Sequence, residues 1–213
     1  MTDAQQDAGG FEVVSSERRF DGAVFDVRTD EVRMPDGSVA KRDVIDHPGA
    51  VGIVALDAEN NVVLVRQYRH LVGHELLELP AGLLDVDGES ALLAAQRELA
   101  EETALVAEHW SVLVDLHTSP GMSDEAIRIF LARGLSDAAV DDRFSPEGEE
   151  ASMTVERRPL DEVAALALTG ELTNGPAVAG VLAARLAGAA GWAGLRPADA
   201  PWQARPDRVP AAG

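Results

Sequence analysis

The chain has 213 residues, 46% of them hydrophobic, enough for one domain with a real core and a small accessory part. Its 37 acidic residues outnumber 18 basic ones for a formal charge of −19, a balance that disfavours nucleic acid and anionic membranes, since both reward basic patches. The absence of cysteine excludes disulfide scaffolds and thiolate chemistry. No apolar run approaches the ~18 residues of a spanning helix, and the polar start MTDAQQDAGG has no signal-peptide h-region. A soluble cytoplasmic protein is the expectation.

After a disordered stretch over residues 1–10, FEVVSSERRF and AVFDVRTDEVRM mix β-branched and aromatic with polar residues and read as strands, with PDGS at 35–38 as a turn. VGIVALD and NVVLVRQYR are apolar runs joined by AENN, the pattern of a hairpin. ELLELPAGLL reads as a short strand broken by Pro80 and Gly82. Ser90 is placed to cap a helix over about Ala91 to Thr103. WSVLVDL and AIRIFLARGL are strands around the loop HTSPGMSDE, and the acidic residues 136–150 read as a loop. SMTVERRPL is a strand, LDEVAALALTGEL a helix, and GPAVAGVLAARLAGAAG a last helix with Pro176 in its first turn. From Arg196 onward, Pro, Ala and charged residues predict a flexible tail over 196–213. Mostly antiparallel strands with a few helices make an α+β protein, with residues 11–48 as a separate small sheet and 49–195 as the main domain.

The segment RELAEE, Arg97 to Glu102, poses the chemical question. Leu92, Ala95 and Leu99 fall on one stripe of the 91–103 helix. Glu98, Glu101 and Glu102 share an adjoining sector about 100° wide. Like charges at that spacing repel by roughly 0.2–0.5 kcal/mol per pair. A solvated acidic face is one reading. A hard-cation site is the other, because Mg²⁺ prefers oxygen ligands and keeps waters that a phosphate can replace.

From Gly82 to Leu105, GLLDVDGESALLAAQRELAEETAL resembles the Nudix box, the loop–helix motif of hydrolases that cleave nucleoside diphosphates linked to another moiety. Gly82, Glu89, Arg97, Glu98, Leu99, Glu101, Glu102 and Leu105 match its pattern. It departs in one extra residue between Gly82 and Glu89, and in Ala104 where the motif has Gly. An insertion in a loop is readily accommodated. Ala104 costs roughly 1 kcal/mol if the helix end needs φ > 0. The resemblance implies a Nudix fold, a mixed β-sheet sandwiched between helices, with a small N-terminal antiparallel sheet. It also implies Mg²⁺, with Mn²⁺ as substitute, held by Glu98 and Glu102, with Glu101 ligating or bridging through water, and by the backbone carbonyl of Ala81. Arg97 would brace the glutamates.

Beyond the box, RQYRH, ELPAGLL and SPGMSDE, with Pro120 in the loop, resemble the ADP-ribose pyrophosphatase subgroup. That likeness implies hydrolysis of ADP-ribose to AMP and ribose 5-phosphate by a homodimer with exchanged N-terminal strands. Arg69 would contact the diphosphate, against the plainer reading of an exposed strand-end charge. Glu78 would position substrate or arginine, or be a simple surface carboxylate. Glu150, in EGEEASMTV, would be the general base on the attacking water and, with Glu102, a catalytic residue. Glu149 is the runner-up for the base, and a merely acidic loop is the alternative. His70, His74 and His117 lack metal-ligand spacing. Asp124 and Glu125 either cap their loop or meet the terminal ribose. Two further readings stand beside the first: a Nudix hydrolase of a nucleotide sugar, dinucleotide or oxidised nucleotide, and a non-catalytic ligand-binding module.

Overall fold

The computed structural model describes residues 9–139 and 152–204. The chain divides into two compact units. The first comprises Met1–Gly49 together with His117–Glu125. Its sheet is an antiparallel meander of β1 (Glu12–Asp21), β2 (Asp26–Arg33) and β3 (Val39–Asp46) in that order. Every residue of β1 is exposed, Phe20 to 56%, so the sheet buries little apolar surface. Polar cross-strand pairs hold it instead. Ser16 Oγ donates to Asp30 at 2.7 Å, Thr29 Oγ1 to Asp43 at 2.7 Å, and Arg33 Nε to Glu12 at 3.0 Å. The loop 117–125 lies on β3: Ile45 N–H donates to the Met122 carbonyl at 2.8 Å. His47 N–H donates to the Asp124 carboxylate at 2.9 Å, which makes Asp124 a loop-fastening group.

The second unit contains β4 (Ala50–Leu56), β5 (Asn61–Arg69), β6 (His74–Glu78), β7 (Ala81–Leu83), α1 (Ala91–Thr103), β8 (Leu105–His117), β9 (Ala126–Asp137), β10 (Thr154–Pro159), α2 (Leu160–Thr169), α3 (Gly175–Ala189) and β11 (Arg196–Pro197). Its sheet runs β10-β5-β4-β9-β8-β11, with β6 on β5 and β7 on β4. β4 and β9 are parallel, Ala50 opposite Ile127 through Leu56 opposite Arg133, while β5 pairs with β10, and β4 with β7, antiparallel. The sheet is therefore mixed and the protein α+β.

β4 is buried along its whole length, and its alternation feeds two cores. Val51, Ile53 and Ala55 join Ala94, Ala95 and Leu99 of α1 and Phe130 of β9. Val54 and Leu56 join Ile129, Leu131, Val163 of α2 and Val181 of α3. Each such large side chain contributes roughly 1.5–3 kcal/mol on burial. Helices thus cover both faces, and the strand beneath the acidic helix is among the most firmly held parts of the molecule.

Residues 196–204 differ from the expected loose tail. β11 pairs with β8, and Ala198 and Ala200 pack on the α1-side core. Arg128 of β9, 3% exposed, makes a bidentate pair with Asp115 of β8 and donates to the carbonyls of Ala200 at 2.6 Å and Pro201 at 3.1 Å. Arg196 adds a 2.6 Å bond to Asp115, and Trp202 lies over the Arg128 guanidinium at 4.9 Å. Burial by itself would raise the Asp115 carboxyl, but Arg128 and Arg196 outweigh it and hold it below its ordinary range. Polar and small residues made this segment read as free from sequence, but its backbone carbonyls serve as acceptors for a buried arginine.

Candidate active site

The site is built on α1 and the short strand β7. Ser90, with φ −75° and ψ 154°, caps α1 by accepting from Leu93 N–H at 3.3 Å. The buried stripe of Ala94, Ala95, Leu99 and Ala100 fixes the helix on β4 and turns Glu98, Glu101 and Glu102 toward its partly covered side. The helix ends at Ala104 with φ 55° and ψ 33°, the left-handed conformation that the motif's glycine would take without strain. Its N–H still closes onto the Ala100 carbonyl at 2.9 Å.

Arg97 gathers the carboxylates. Its Nε and Nη2 make a bidentate pair with Glu89 at 3.1 and 3.0 Å, while Nη1 donates to Glu98 at 2.7 Å and Glu101 at 3.0 Å. One guanidinium thus offsets the mutual repulsion of three acids. The bond to Glu89, then the charge of Glu98, raises the Arg97 pKa further above its already high ordinary value.

β7 receives two of these side chains. Ala81 N–H donates to Glu102 at 3.0 Å. Glu98 lies directly over Gly82, where a Cβ would stand 2.0 Å from its carboxyl carbon. Glycine is required here by close approach: any larger residue would evict the carboxylate. Glu98, Glu101, Glu102 and Ala81 are therefore drawn together, through Arg97 on one side and the β7 backbone on the other. Among the described residues no three acidic or histidine side chains close into a ready-made metal cage. A hard divalent cation is typically held by one or two carboxylates and completed by waters and substrate phosphates, a role that Glu98, Glu101 and Glu102 could fill. The donors are hard oxygens, and Glu98 and Glu101 are only 14% and 29% exposed.

Arg69 and Glu78 form a second pair, across the β5–β6 hairpin. Arg69 Nε and Nη2 reach the two Glu78 oxygens at 2.9 and 2.7 Å. Glu78 is 3% exposed, so it is no surface carboxylate; Arg69 keeps 44% of its side chain in solvent. The buried acid orients the exposed arginine, a bidentate arrangement that fixes the plane of the guanidinium. Pairing across the hairpin, Arg69 opposite His74 and Val65 opposite Glu78, brings the two into reach. The resemblance implied a role for Glu78 toward substrate or arginine, without the register that joins this pair. Glu149 and Glu150 lie outside the described residues.

Residues 46–179 match the profile of the NUDIX domain, and residues 11–45 that of the nucleoside diphosphate sugar hydrolase N-terminal domain. The chain belongs to the Nudix hydrolases. This Nudix hydrolase is 50% identical over 196 residues to the ADP-ribose pyrophosphatase of Mycobacterium tuberculosis, covering 92% of this chain and 93% of that one. It is 35% identical over 149 residues to the ADP-ribose pyrophosphatase of Bacillus subtilis, 70% of this chain and 71% of the relative. It is 41% identical over 123 residues to the methanol dehydrogenase activator of Bacillus methanolicus, 58% and 66% of the two chains. A crystal structure described as an ADP compounds hydrolase superposes with a TM-score of 0.72 at 22% identity, covering 85% of this chain and 96% of the other, which establishes the fold. Nucleoside diphosphate hydrolysis is the activity class these relationships support. No helix among the described residues is long and apolar enough to cross a membrane.

Proposed function

We propose that this Nudix hydrolase cleaves ADP-ribose with water to AMP and ribose 5-phosphate, using Mg²⁺, or Mn²⁺ in its place. The observation that carries the reading is the convergence of Glu98 and Glu102 on β7, one seated on Gly82 and the other on Ala81 N–H. The 50% identity to an ADP-ribose pyrophosphatase across nearly the whole chain favours that substrate.

Glu98, Glu102 and the Ala81 carbonyl would hold the cation, with Glu101 joining directly or through water. A bound cation supplies charge to offset the carboxylates, polarise phosphorus and acidify water. Arg69, held in one orientation by Glu78, binds the diphosphate oxygens. Glu150 takes the proton from the attacking water as the new P–O bond forms and the bridging P–O bond breaks. The bridging oxygen leaves with one phosphate, and the water oxygen stays on the other. Atoms balance with one water consumed.

The active species is a homodimer joined through the N-terminal sheet. Phe11, Val13, Val14, Phe20 and Val24 are all between 45% and 56% exposed, which is costly for an isolated sheet and natural for one that meets a second copy. A second substrate reading, a nucleotide sugar, draws on the match of residues 11–45 to a nucleoside diphosphate sugar hydrolase domain. Steady-state assay of ADP-ribose, NADH, GDP-mannose, diadenosine polyphosphates and oxidised dGTP with Mg²⁺ decides between them. ADP-ribose should give the highest kcat/KM; a tenfold better rival overturns the assignment, and no turnover of any of them leaves only a binding module.

A further inference from the structure

We propose that Gly180, on the opposite face of the sheet from the acidic helix, is a positioning residue for the active site. Glycine is among the poorest helix formers, so its place in the interior of α3 asks for a reason. Unlike ten other described glycines, it does not need a positive φ. The reason is close approach. A Cβ at Gly180 would stand 2.8 Å from Leu79 Cδ1, 3.1 Å from Val54 Cγ2 and 3.2 Å from Ile129 Cγ2. All three neighbours are at most 2% exposed, so none can swing into solvent to relieve the contact. On its other side the same Leu79 methyl lies 3.9 Å from where a Cβ on Gly52 would be. Leu79 is thus lodged between a glycine of α3 and a glycine of β4.

What Leu79 anchors gives this packing its consequence. Its predecessor Glu78 holds Arg69 by two bonds. Its successor Pro80 accepts from Ile53 N–H at 2.8 Å, and the next residue, Ala81, donates to Glu102 at 3.0 Å. Strand alternation sends Leu77 and Leu79 into the core beneath α3, so Glu78 between them faces the other way. The segment 78–81 therefore links the arginine to the metal carboxylate, and the Leu79 side chain is its peg. Given the roles proposed above for Arg69, Ala81 and Glu102, the depth of the Gly180 notch sets the placement of both at once.

The test is Gly180→Ala, read first by Mn²⁺ titration calorimetry, which requires no substrate. Restoring ordinary contact would displace the Leu79 methyl by about 1 Å, and misplacements of that size cost up to about 10²-fold in rate. Supporting groups around a metal site typically alter its affinity by about 10–100-fold. The expected result is Mn²⁺ affinity about tenfold weaker, with kcat for ADP-ribose lowered more than KM is raised. Leu79→Val shortens the peg by the colliding atom, so the double variant Gly180→Ala/Leu79→Val should recover affinity relative to Gly180→Ala alone. Val163→Ala, a cavity in the same core that does not crowd Leu79, should lower Tm and leave Mn²⁺ affinity unchanged. Unchanged affinity in a folded Gly180→Ala, no recovery in the double variant, or an equal loss in Val163→Ala overturns the inference. Failure of the wild-type chain to hydrolyse ADP-ribose would sink the substrate assignment while leaving the Mn²⁺ comparison intact; failure of the wild type to bind Mn²⁺ would remove both.

Discussion

Glu98 and Glu102 share a helix but meet β7 in different ways, one by occupying the space over a glycine, the other by accepting a backbone N–H. Either contact survives conversion to glutamine, because the amide keeps the shape and one acceptor oxygen. What is lost is the charge. Glu98→Gln and Glu102→Gln should each lower kcat by at least about 10²-fold with the fold retained, as expected when direct metal ligation is weakened. Near-wild-type turnover in both variants at limiting Mg²⁺ would sink the metal assignment. Glu150→Gln should lower kcat by about 10²–10⁴-fold, the usual span of a general base, with KM for ADP-ribose little changed and Glu149→Gln much milder. A crippled Glu149→Gln beside a healthy Glu150→Gln would exchange the two roles.

At the scale of the element, α1 shows both what sequence makes legible and what it hides. Its bounds, Ala91–Thr103, follow from Ser90 as cap and the apolar stripe through Leu99. The left-handed end at Ala104 was foreseeable only through the missing motif glycine, and φ of 55° shows that alanine does take up the strained conformation. Ala104→Gly should relieve about 1 kcal/mol of that strain, partly offset by the greater freedom of glycine in the unfolded chain. The net expectation is a Tm about 1–3 °C higher with unchanged kcat; a lower Tm would mean the strain is absorbed elsewhere. The strands β5 and β9 were equally readable, since each is a largely apolar run between turn signals. The parallel pairing of β4 with β9 was not, because alternation reports which face a residue takes and not which strand lies beside it. The Arg69–Glu78 clamp was legible only as a role for Glu78 toward substrate or arginine; its two-bond geometry exists once the hairpin register is set.

At the scale of the whole molecule, one carboxylate organises much of the polar fastening of residues 196–204. Asp115 is held below its ordinary pKa by Arg128 and Arg196, so it stabilises the fold fully above the unfolded value of about 4. That contribution is lost as pH falls through the lower folded value. Asp115→Asn should cost about 3–5 kcal/mol at neutral pH, because the buried Arg128 loses its counter-charge, and its Tm should vary less with pH below about 4 than that of wild type. An equally steep acid dependence in the variant would place the titrating group elsewhere. Assembly is the other property at this scale. Sedimentation at micromolar concentration should show a dimer, and a fully active monomer would refute exchange of the N-terminal sheet. The apolar side chains of β1, Val13, Val14 and Phe20, were visible in the sequence among polar ones, but a strand with neither face covered is distinguishable from an ordinary one only in three dimensions.

The two residues of β11 have an effect out of proportion to their length. They lie on β8 at the margin of the larger sheet, where a bare strand would offer a row of unused amides and carbonyls to any passing chain. Pro197 has no N–H to offer, and the charged Arg196 beside it is tied down to Asp115. β11 therefore acts as a selvedge over Ser111 and Val112, a finished stretch of border that discourages edge-to-edge pairing there in a protein whose central strand is wholly apolar-faced.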